Sequence, residues 1–318
     1  MTPIPPRYLF VWTGRQFPYF ARLAVESALV ADPGFAVEIH LFGPRPDGAP
    51  HLAALARDPR IALVPVDLAR CFDGLGVDPG RLQAAYQRAG SASARSNLIR
   101  YAVLAQRGGI YLDTDVLVAR SLDDLRRHDA FAGQEQVLAI DAARVEGRWS
   151  AAMAGPAAAW AVAWGLRRLD AALGGAGLER LARPLDRAWQ ITQLNNAVIG
   201  AAPGARFVRR LLRRAVEVDP AVRYRLGPTL ISEVVAAGAD DVCVLPPAAF
   251  YAVPPSYSFR FFTGGARPLP PAVRVLHVVA SNHGKLLGGL DRATVAARAR
   301  RGSYYALADA VATRAGAA

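Results

Sequence analysis

Apolar and polar positions alternate in short bursts along the first third of the chain. Tyr8–Trp12, Val37–Phe42 and Ile61–Val64 are β-prone runs, and Phe17–Val30 between the first two carries apolar residues at helical spacing and closes on Asp32-Pro33-Gly34. This strand–helix–strand order predicts a mainly parallel, Rossmann-like α/β sheet with helices on its faces, whose ligands gather beyond the carboxyl ends of the strands. Residues 67–90 read as a small helical and loop-like insert. Ser91–Arg107 then reads as a helix that opens on capping serines, carries Leu98, Ala102 and Ala105 along one side, and stops at Gly108-Gly109. A short apolar strand follows and ends in Asp113-Thr114-Asp115. Further on, 142–190 is Ala/Gly-rich and helical, Val273–Val279 reads as a strand, and an Arg-bearing amphipathic helix is expected over 291–314. With no internal repeat and no long linker, the pattern predicts one domain over 1–318 with a helical subdomain inserted at 142–190.

The chemistry concentrates in Gly108-Gly109-Ile110-Tyr111-Leu112-Asp113-Thr114-Asp115-Val116. On an extended strand, residues two apart face the same way with Cα atoms roughly 6.5 Å apart. Two carboxylates that close repel each other, so the triplet makes sense when a divalent cation sits between them and an anionic ligand. All-oxygen ligation suits Mg²⁺ or Mn²⁺. The same triplet also ends ordinary surface strands, so its context decides. Asn97 and Arg100 are three apart near the start of the preceding helix, hence neighbours on one face. A helix, a glycine turn and a short strand bring Arg100 toward the carboxylates, either as part of a site or as a structural ion pair. Gln193, Asn195 and Asn196 form a polar cluster before an apolar run, costly to bury without a ligand. Trp12 ends the first strand, where it either packs in the core or offers a stacking platform for a base. His277 either fills the core or turns into the crevice. Ser281, Asn282 and His283 leave the last strand, and Lys285 lies among glycines suited to a lid.

The run Ser96-Asn-Leu-Ile-Arg-Tyr-x₆-Gly-Gly-Ile-Tyr-Leu-Asp-Thr-Asp-Val resembles the signature of the DXD sugar transferases of glycosyltransferase family 32 type. That group includes α-1,4-galactosyl- and N-acetylglucosaminyltransferases, yeast mannosyltransferases and, more distantly, the glucosylating domains of clostridial toxins. Further blocks resemble the family in order: Val11-Trp12, Leu194-Asn195-Asn196-Ala197 (family Leu-Asn-Gly-Ala), Gly227-Pro228-Thr229-Leu230, Leu245–Tyr251 and Leu276–His283. The resemblance implies a GT-A fold. It also implies a metal-dependent hexosyl or N-acetylhexosaminyl transferase with a nucleotide-sugar donor, UDP-linked, and retention of anomeric configuration. Asp115 would be the direct metal ligand and Asp113 would bind ribose or sugar hydroxyls while sharing the ion. Ser281, Asn282 and His283 would complete the metal and phosphate shell. Trp12 and Thr13 would lie at the uracil, Arg100 at the donor sugar or phosphate, Asn195 by the anomeric centre, and Lys285 over the diphosphate. In one departure, Asn97, at the position that would bind the donor-sugar hydroxyls, stands where the family has an aspartate; an amide accepts and donates, and carries no charge.

Composition narrows the partners. The 318 residues are 53% hydrophobic and 20% charged, enough for a large core. The formal charge of +12 raises nucleic-acid binding, but the basic residues are dispersed and all but Lys285 are arginine. That pattern excludes a nucleic-acid stripe and fits peripheral contact with an anionic membrane. A glycan, a glycolipid or a small molecule would serve as acceptor. Cys71 and Cys243 are isolated, and the N-terminus carries no basic region followed by an apolar run, so a cytoplasmic location is expected, with peripheral contact at the inner membrane face. Two other readings compete. A haloacid-dehalogenase-like phosphatase would use the same strand plus Asp-x-Asp with Asp240-Asp241 as its later acidic motif, but needs a lysine between the two. A non-catalytic sugar-nucleotide or glycan-binding protein is the other.

Overall fold

The structure, a computed structural model, describes residues 3–44, 46, 48–139, 151–238 and 240–317. Seven strands form one mixed sheet in the order β3-β2-β1-β4-β7-β6-β8: β1 Arg7–Trp12, β2 Ala36–Leu41, β3 Ile61–Pro65, β4 Gly109–Leu112, β6 Ala130–Leu138, β7 Gln190–Ala201 and β8 Cys243–Leu245. Strands β3, β2, β1 and β4 are mutually parallel, β7 runs antiparallel to both β4 and β6, and β8 is parallel to β6. The expected α/β architecture with a mainly parallel sheet is therefore the observed one. The three N-terminal strands fall within a residue or two of their sequence-based bounds. The first helix spans Tyr19–Ala31 rather than starting at Phe17, because Phe17 precedes Pro18 and is disfavoured in helical geometry.

The sheet is sealed on both faces. The Ala92–Arg107 helix buries Leu98, Ile99, Tyr101, Ala102 and Leu104 against the Leu9, Tyr111 and Ile199 side. The Tyr19–Ala31 helix packs Ala21, Ala24, Val25 and Ala28 against Tyr8, Phe10 and Ile110 on the other. Ser91 caps the former helix, its Oγ accepting from the Ala94 amide at 3.1 Å. At the other end Gly108 and Gly109 adopt φ of +61° and +131°, and a Cβ on Gly109 would sit 3.0 Å from the Arg7 carbonyl oxygen and 2.6 Å from Arg7 Cγ. Gly109→Ala is accordingly expected to lower stability by about 2–3 kcal/mol, measured by denaturant unfolding. An unchanged midpoint would mean that this turn does not hold β4 against β1.

Two segments differ from expectation. The C-terminal stretch is two helices, Arg292–Ala297 and Ser303–Ala315, rather than one over 291–314. The break lets Gly302 approach the backbone of Phe261 and Phe262 so closely that no Cβ would fit. In the expected subdomain the described residues form helices Ala154–Ala172 and Glu179–Arg187, and 142–150 lie outside the described residues. Among the described residues no helix is long and apolar enough to cross a membrane.

A second, two-stranded sheet sets up the site. Strand β5, Val116–Val118, pairs antiparallel with β9, Val275–His277, placing Val116 opposite His277. Strand β7 is long enough to run past the end of β4, and its pairing with β6 shifts between Ala132 and Gly133, so that Ala132 faces Ile199 but Gly133 faces Asn195. The surplus residues Asn196, Ala197 and Val198 bulge at the strand edge where β4 stops. Bulges of this kind re-aim side chains beside active sites.

Candidate active site

A crevice of about 530 Å³ opens beyond the carboxyl ends of β1 and β4. Trp12, Asn97, Arg100, Asp113, Asp115 and Asn195 all line it, as do Thr13 and Ser281. The two aspartates meet by a route that strand alternation does not describe. Strand β4 ends at Leu112, and Asp113 to Asp115 form a tight turn closed by the Val116 amide on the Asp113 carbonyl at 3.1 Å. The Asp113 amide extends the ladder by one bond, to the Ala197 carbonyl at 2.8 Å. The turn, not a shared strand face, brings the carboxylates together.

Asp113 is the more tightly held. Its Oδ1 accepts from Arg100 Nη2 at 2.5 Å and from the Tyr111 hydroxyl at 2.7 Å. Arg100 is 3% exposed, lies 4.1 Å above the centre of the Tyr111 ring, and also donates to the Asn196 carbonyl in the bulge. Burial raises the Asp113 pKa, Arg100 pulls it down, and Asp115 raises it again; the net shift is upward. Burial works to lower the Arg100 pKa, but the Asp113 charge keeps it above the usual arginine value.

Asp115 is positioned by backbone. Its carboxylate accepts from the Ala280 amide at 2.7 Å, and its carbonyl accepts from the Val278 amide at 3.1 Å. Between those two donors Val279 adopts φ +54°, ψ +73°, a left-handed conformation uncommon for a β-branched residue. Strain of this sort persists where surrounding contacts enforce it, and it clusters at functional sites. Here it turns the chain from β9 into the Ala280–Gly288 helix so that the first helical amide points at Asp115.

His277 completes the cluster. Its Nε2 lies 3.6 Å from Asp115 Oδ1, and ligand atoms of Asp113, Asp115 and His277 all fall within 4.8 Å of one another. Two carboxylate oxygens and an imidazole nitrogen form a donor set that can hold a divalent ion, and the imidazole makes it less selective for Mg²⁺ than the all-oxygen set expected from the sequence. Of the two roles left open for His277, the pairing of β5 with β9 brings it beside the carboxylates. Sequence reasoning favoured its neighbours because only the strand pairing reveals this proximity.

Those neighbours are placed differently. Ser281 lines the crevice. The Asn282 amide instead donates to the Pro255 carbonyl at 3.1 Å. The His283 ring packs 4.8 Å from Phe262 and its Nε2 lies 2.8 Å from Ser258 Oγ, away from the acidic pair. Burial, and secondarily the charge of Arg168, lower the His283 pKa. Lys285 is exposed within the Ala280–Gly288 helix rather than in a glycine-flanked turn, and does not line the crevice. Asp241, required by the phosphatase reading, is tied to Arg210 outside the crevice. The two free cysteines take no part: burial pushes the Cys71 thiol up to about 12.

Two departures from the family pattern meet in space. Asn97 replaces its aspartate and Asn196 its glycine, and Asn196 Nδ2 donates to Asn97 Oδ1 at 2.9 Å. The second amide thus satisfies the first. Sequence reasoning missed Glu135 altogether. It is 2% exposed on β6, lines the crevice, and its Oε2 accepts from Asn195 Nδ2 at 2.8 Å and Gln193 Nε2 at 3.3 Å. Burial raises its pKa. The available signal was an acidic residue inside a β-prone run, which is unusual for a strand facing a core.

Fold and site together place an Asp-x-Asp turn, a buried arginine and a histidine at the carboxyl edge of a mainly parallel α/β sheet. Residues 66–132 match the family model described as the glycosyltransferase sugar-binding region containing DXD motif. That stretch holds the helix, the glycine turn and both aspartates. No curated protein matches the chain. Among solved structures, the PaToxG glycosyltransferase is 14% identical, with 74% of this chain and 70% of that one covered, at a TM-score of 0.46. The UDP-bound glycosyltransferase domain of the YGT toxin is 9% identical (77% and 80% covered, TM-score 0.44). The galactosyltransferase LgtC, with donor and acceptor sugar analogues, is 15% identical (76% and 74% covered, TM-score 0.36).

Proposed function

We propose that the protein moves a hexosyl or N-acetylhexosaminyl group from a nucleotide-sugar, UDP-linked, to an acceptor hydroxyl with retention of configuration. We assign a divalent ion, Mn²⁺ or Mg²⁺, to Asp113, Asp115 and His277. The observation that carries this reading is the convergence of those three side chains in a crevice that also contains Trp12 and Arg100. When bound, the ion supplies positive charge to the diphosphate as it departs, worth several kcal/mol of transition-state stabilisation on the order of other preorganised charges.

The remaining roles belong to the chain. Trp12, fixed by its indole N–H on the Gln16 carbonyl at 3.0 Å, offers its ring to the base, with Thr13 beside it. Arg100 favours the charged form of Asp113 against burial and lies beside the bulge, where the sugar sits. Asn195 is locked by the Ala197 amide on its Oδ1 at 2.8 Å and faces the anomeric centre. The Ser281 hydroxyl reaches the phosphate side. The acceptor oxygen attacks from the face the diphosphate leaves, its proton passes to the departing phosphate oxygen, and the anomeric C–O bonds exchange without a protein nucleophile. The acceptor belongs to a glycan, a glycolipid or a small molecule, and the net charge of +12 favours one held at an anionic surface.

The test is release of nucleotide from a panel of UDP- and GDP-sugars with Mn²⁺, with and without EDTA. Turnover of at least one UDP-sugar, abolished by EDTA and restored by Mn²⁺, is expected. Failure of the wild-type protein to bind UDP with Mn²⁺ by calorimetry removes the reading. Because the Asp113 pKa is raised, a proton competes with the ion at higher pH than at an ordinary carboxylate. Mn²⁺ affinity should therefore weaken as pH falls, starting above the usual carboxylate range.

A further inference from the structure

The sheet order lays the chemistry out along one edge. From β1 through β4 and β7 to β6 come Trp12, then Asp113, then Asn195, then Glu135. Neighbouring strands are about 4.8 Å apart, so each step along this series advances by roughly that distance. On the reading above, the first three positions take the base, the diphosphate and the transferred sugar. Glu135 is the next position in line, where the acceptor enters.

Its surroundings fit a group that receives a ligand. Both hydrogen bonds that Glu135 accepts, from Asn195 and Gln193, go to Oε2. Among the described residues nothing donates to Oε1, and Glu135 lines the crevice. None of the described basic side chains forms an ion pair with it. His277 favours the charged form of Glu135 but does not offset burial, and a carboxylate kept from water at such a cost persists when it has work at a ligand. The same carboxylate fixes Asn195: with Nδ2 on Glu135 and Oδ1 on the Ala197 amide, the Asn195 side chain has one orientation.

We propose that Glu135 is the acceptor-binding residue, its Oε1 taking the hydrogen bond of the attacking hydroxyl while its Oε2 holds Asn195 against the transferred sugar. This rests on the nucleotide-sugar reading and adds an acceptor class to it. The group entering beside Glu135 is an uncharged, hydroxyl-bearing one, because a carboxylate or phosphate adjoining the attacking hydroxyl would meet an unneutralised carboxylate. The hydroxyl has one proton, held on Glu135 Oε1 as the acceptor docks and turned to the departing phosphate oxygen as the new C–O bond forms, and Glu135 never becomes bonded to carbon.

Water serves as the probe acceptor, through hydrolysis of the UDP-sugar that the wild type turns over. Glu135→Ala should lower kcat for hydrolysis by about 100-fold and Glu135→Gln by about 10-fold, as misplaced attackers do. UDP·Mn²⁺ affinity should stay within about twofold, since UDP lacks the transferred sugar that Asn195 and Glu135 adjoin. Added sodium formate should restore Glu135→Ala at least about tenfold by supplying the missing carboxylate, a response that a purely structural role does not give. Glu135→Gln keeps an acceptor oxygen for the Asn195 contact, so it tests the idea even if the alanine variant folds poorly. Hydrolysis by both variants within about threefold of wild type overturns the proposal. So does a loss of UDP·Mn²⁺ affinity parallel to kcat, or a glycosylated Glu135 peptide in trapped enzyme. UDP·Mn²⁺ binding by the wild type is measured first, so a failure there falls on the donor reading rather than on Glu135.

Discussion

Asp115→Asn is expected to reduce nucleotide release from the donor by about 10³-fold or more while leaving the apoprotein at least as stable as the wild type. The activity loss follows from geometry. Asp115 is the member of the acidic cluster that touches both the His277 side and the first amide of the Ala280–Gly288 helix, and no other carboxylate among the described residues joins Asp113 and His277 in the cluster. An amide keeps the size and the hydrogen bond from Ala280 but removes one of two anionic ligands, and preorganised charge of this kind carries a large share of catalysis. The stability side follows from repulsion. Asp113 is pushed to a raised pKa by burial and, against the pull of Arg100, by the Asp115 charge. A folded-state carboxyl pKa above its unfolded value means the folded state binds more protons, so its contribution to stability falls as pH rises through that pKa. At neutral pH the ion-free site is therefore a cost, and removing the Asp115 charge lessens it. Wild-type protein should show a rise in Tm with added Mn²⁺, by mass action, that Asp115→Asn lacks. A variant that unfolds several degrees below wild type without metal, or that still gains stability from Mn²⁺, contradicts this account.

The legible parts of the molecule are those in which a local pattern has a local cause. Ser91 and Gly108-Gly109 bracket the Ala92–Arg107 helix because capping and positive φ are decided within a few residues. The strands β1 to β3 are visible as apolar bursts, and Asn97, Arg100 and Asp113 fall together because one helix and one turn connect them. What stayed hidden depends on pairing between distant segments. His277 reaches Asp115 only because β9 pairs with β5, more than 150 residues away, and an apolar strand with one histidine gives no sign of its partner. Glu135 needs the register shift between β6 and β7 before it can face Asn195. The glycine-flanked stretch around Lys285 reads as a loop from its composition; the chain there is helical on both sides of a kink at His283 (φ −129°, ψ 20°), so glycine's weak propensity shows as a break rather than as a loop. The break at Gly302 is likewise a matter of close approach to Phe261, which no helical periodicity reveals.

Arg100 should be the residue whose loss damages both fold and activity. It is nearly fully buried, stacks on Tyr111, and spans two elements by donating to Asp113 on one side and to the Asn196 carbonyl on the other. Asp113 is only partly buried, so deleting Arg100 leaves its charge partly solvated and the Asn196 carbonyl unpaired, at a cost of about 1–3 kcal/mol. Arg100→Met is expected to lose stability on that order in denaturant unfolding, and activity by about 100-fold or more. The pH profile separates the electrostatic part from simple unfolding. Arg100 lowers the Asp113 pKa against burial, so its removal moves that pKa further up, and the acid limb of Mn²⁺-dependent activity should shift to higher pH. Arg100→Lys keeps a charge but not the planar fork, so it can serve Asp113 or the Asn196 carbonyl but not both with good geometry, and it gives up the flat stack on Tyr111. It should retain more stability than Arg100→Met, with a smaller alkaline shift. Combining Arg100→Met with Asp113→Asn removes the orphaned charge, so the double variant should be more stable than Arg100→Met alone, by about 1–3 kcal/mol of coupling. Strict additivity in that cycle, or an Arg100→Met protein that unfolds with the wild type, would show that the pair is not what joins the helix to the acidic turn.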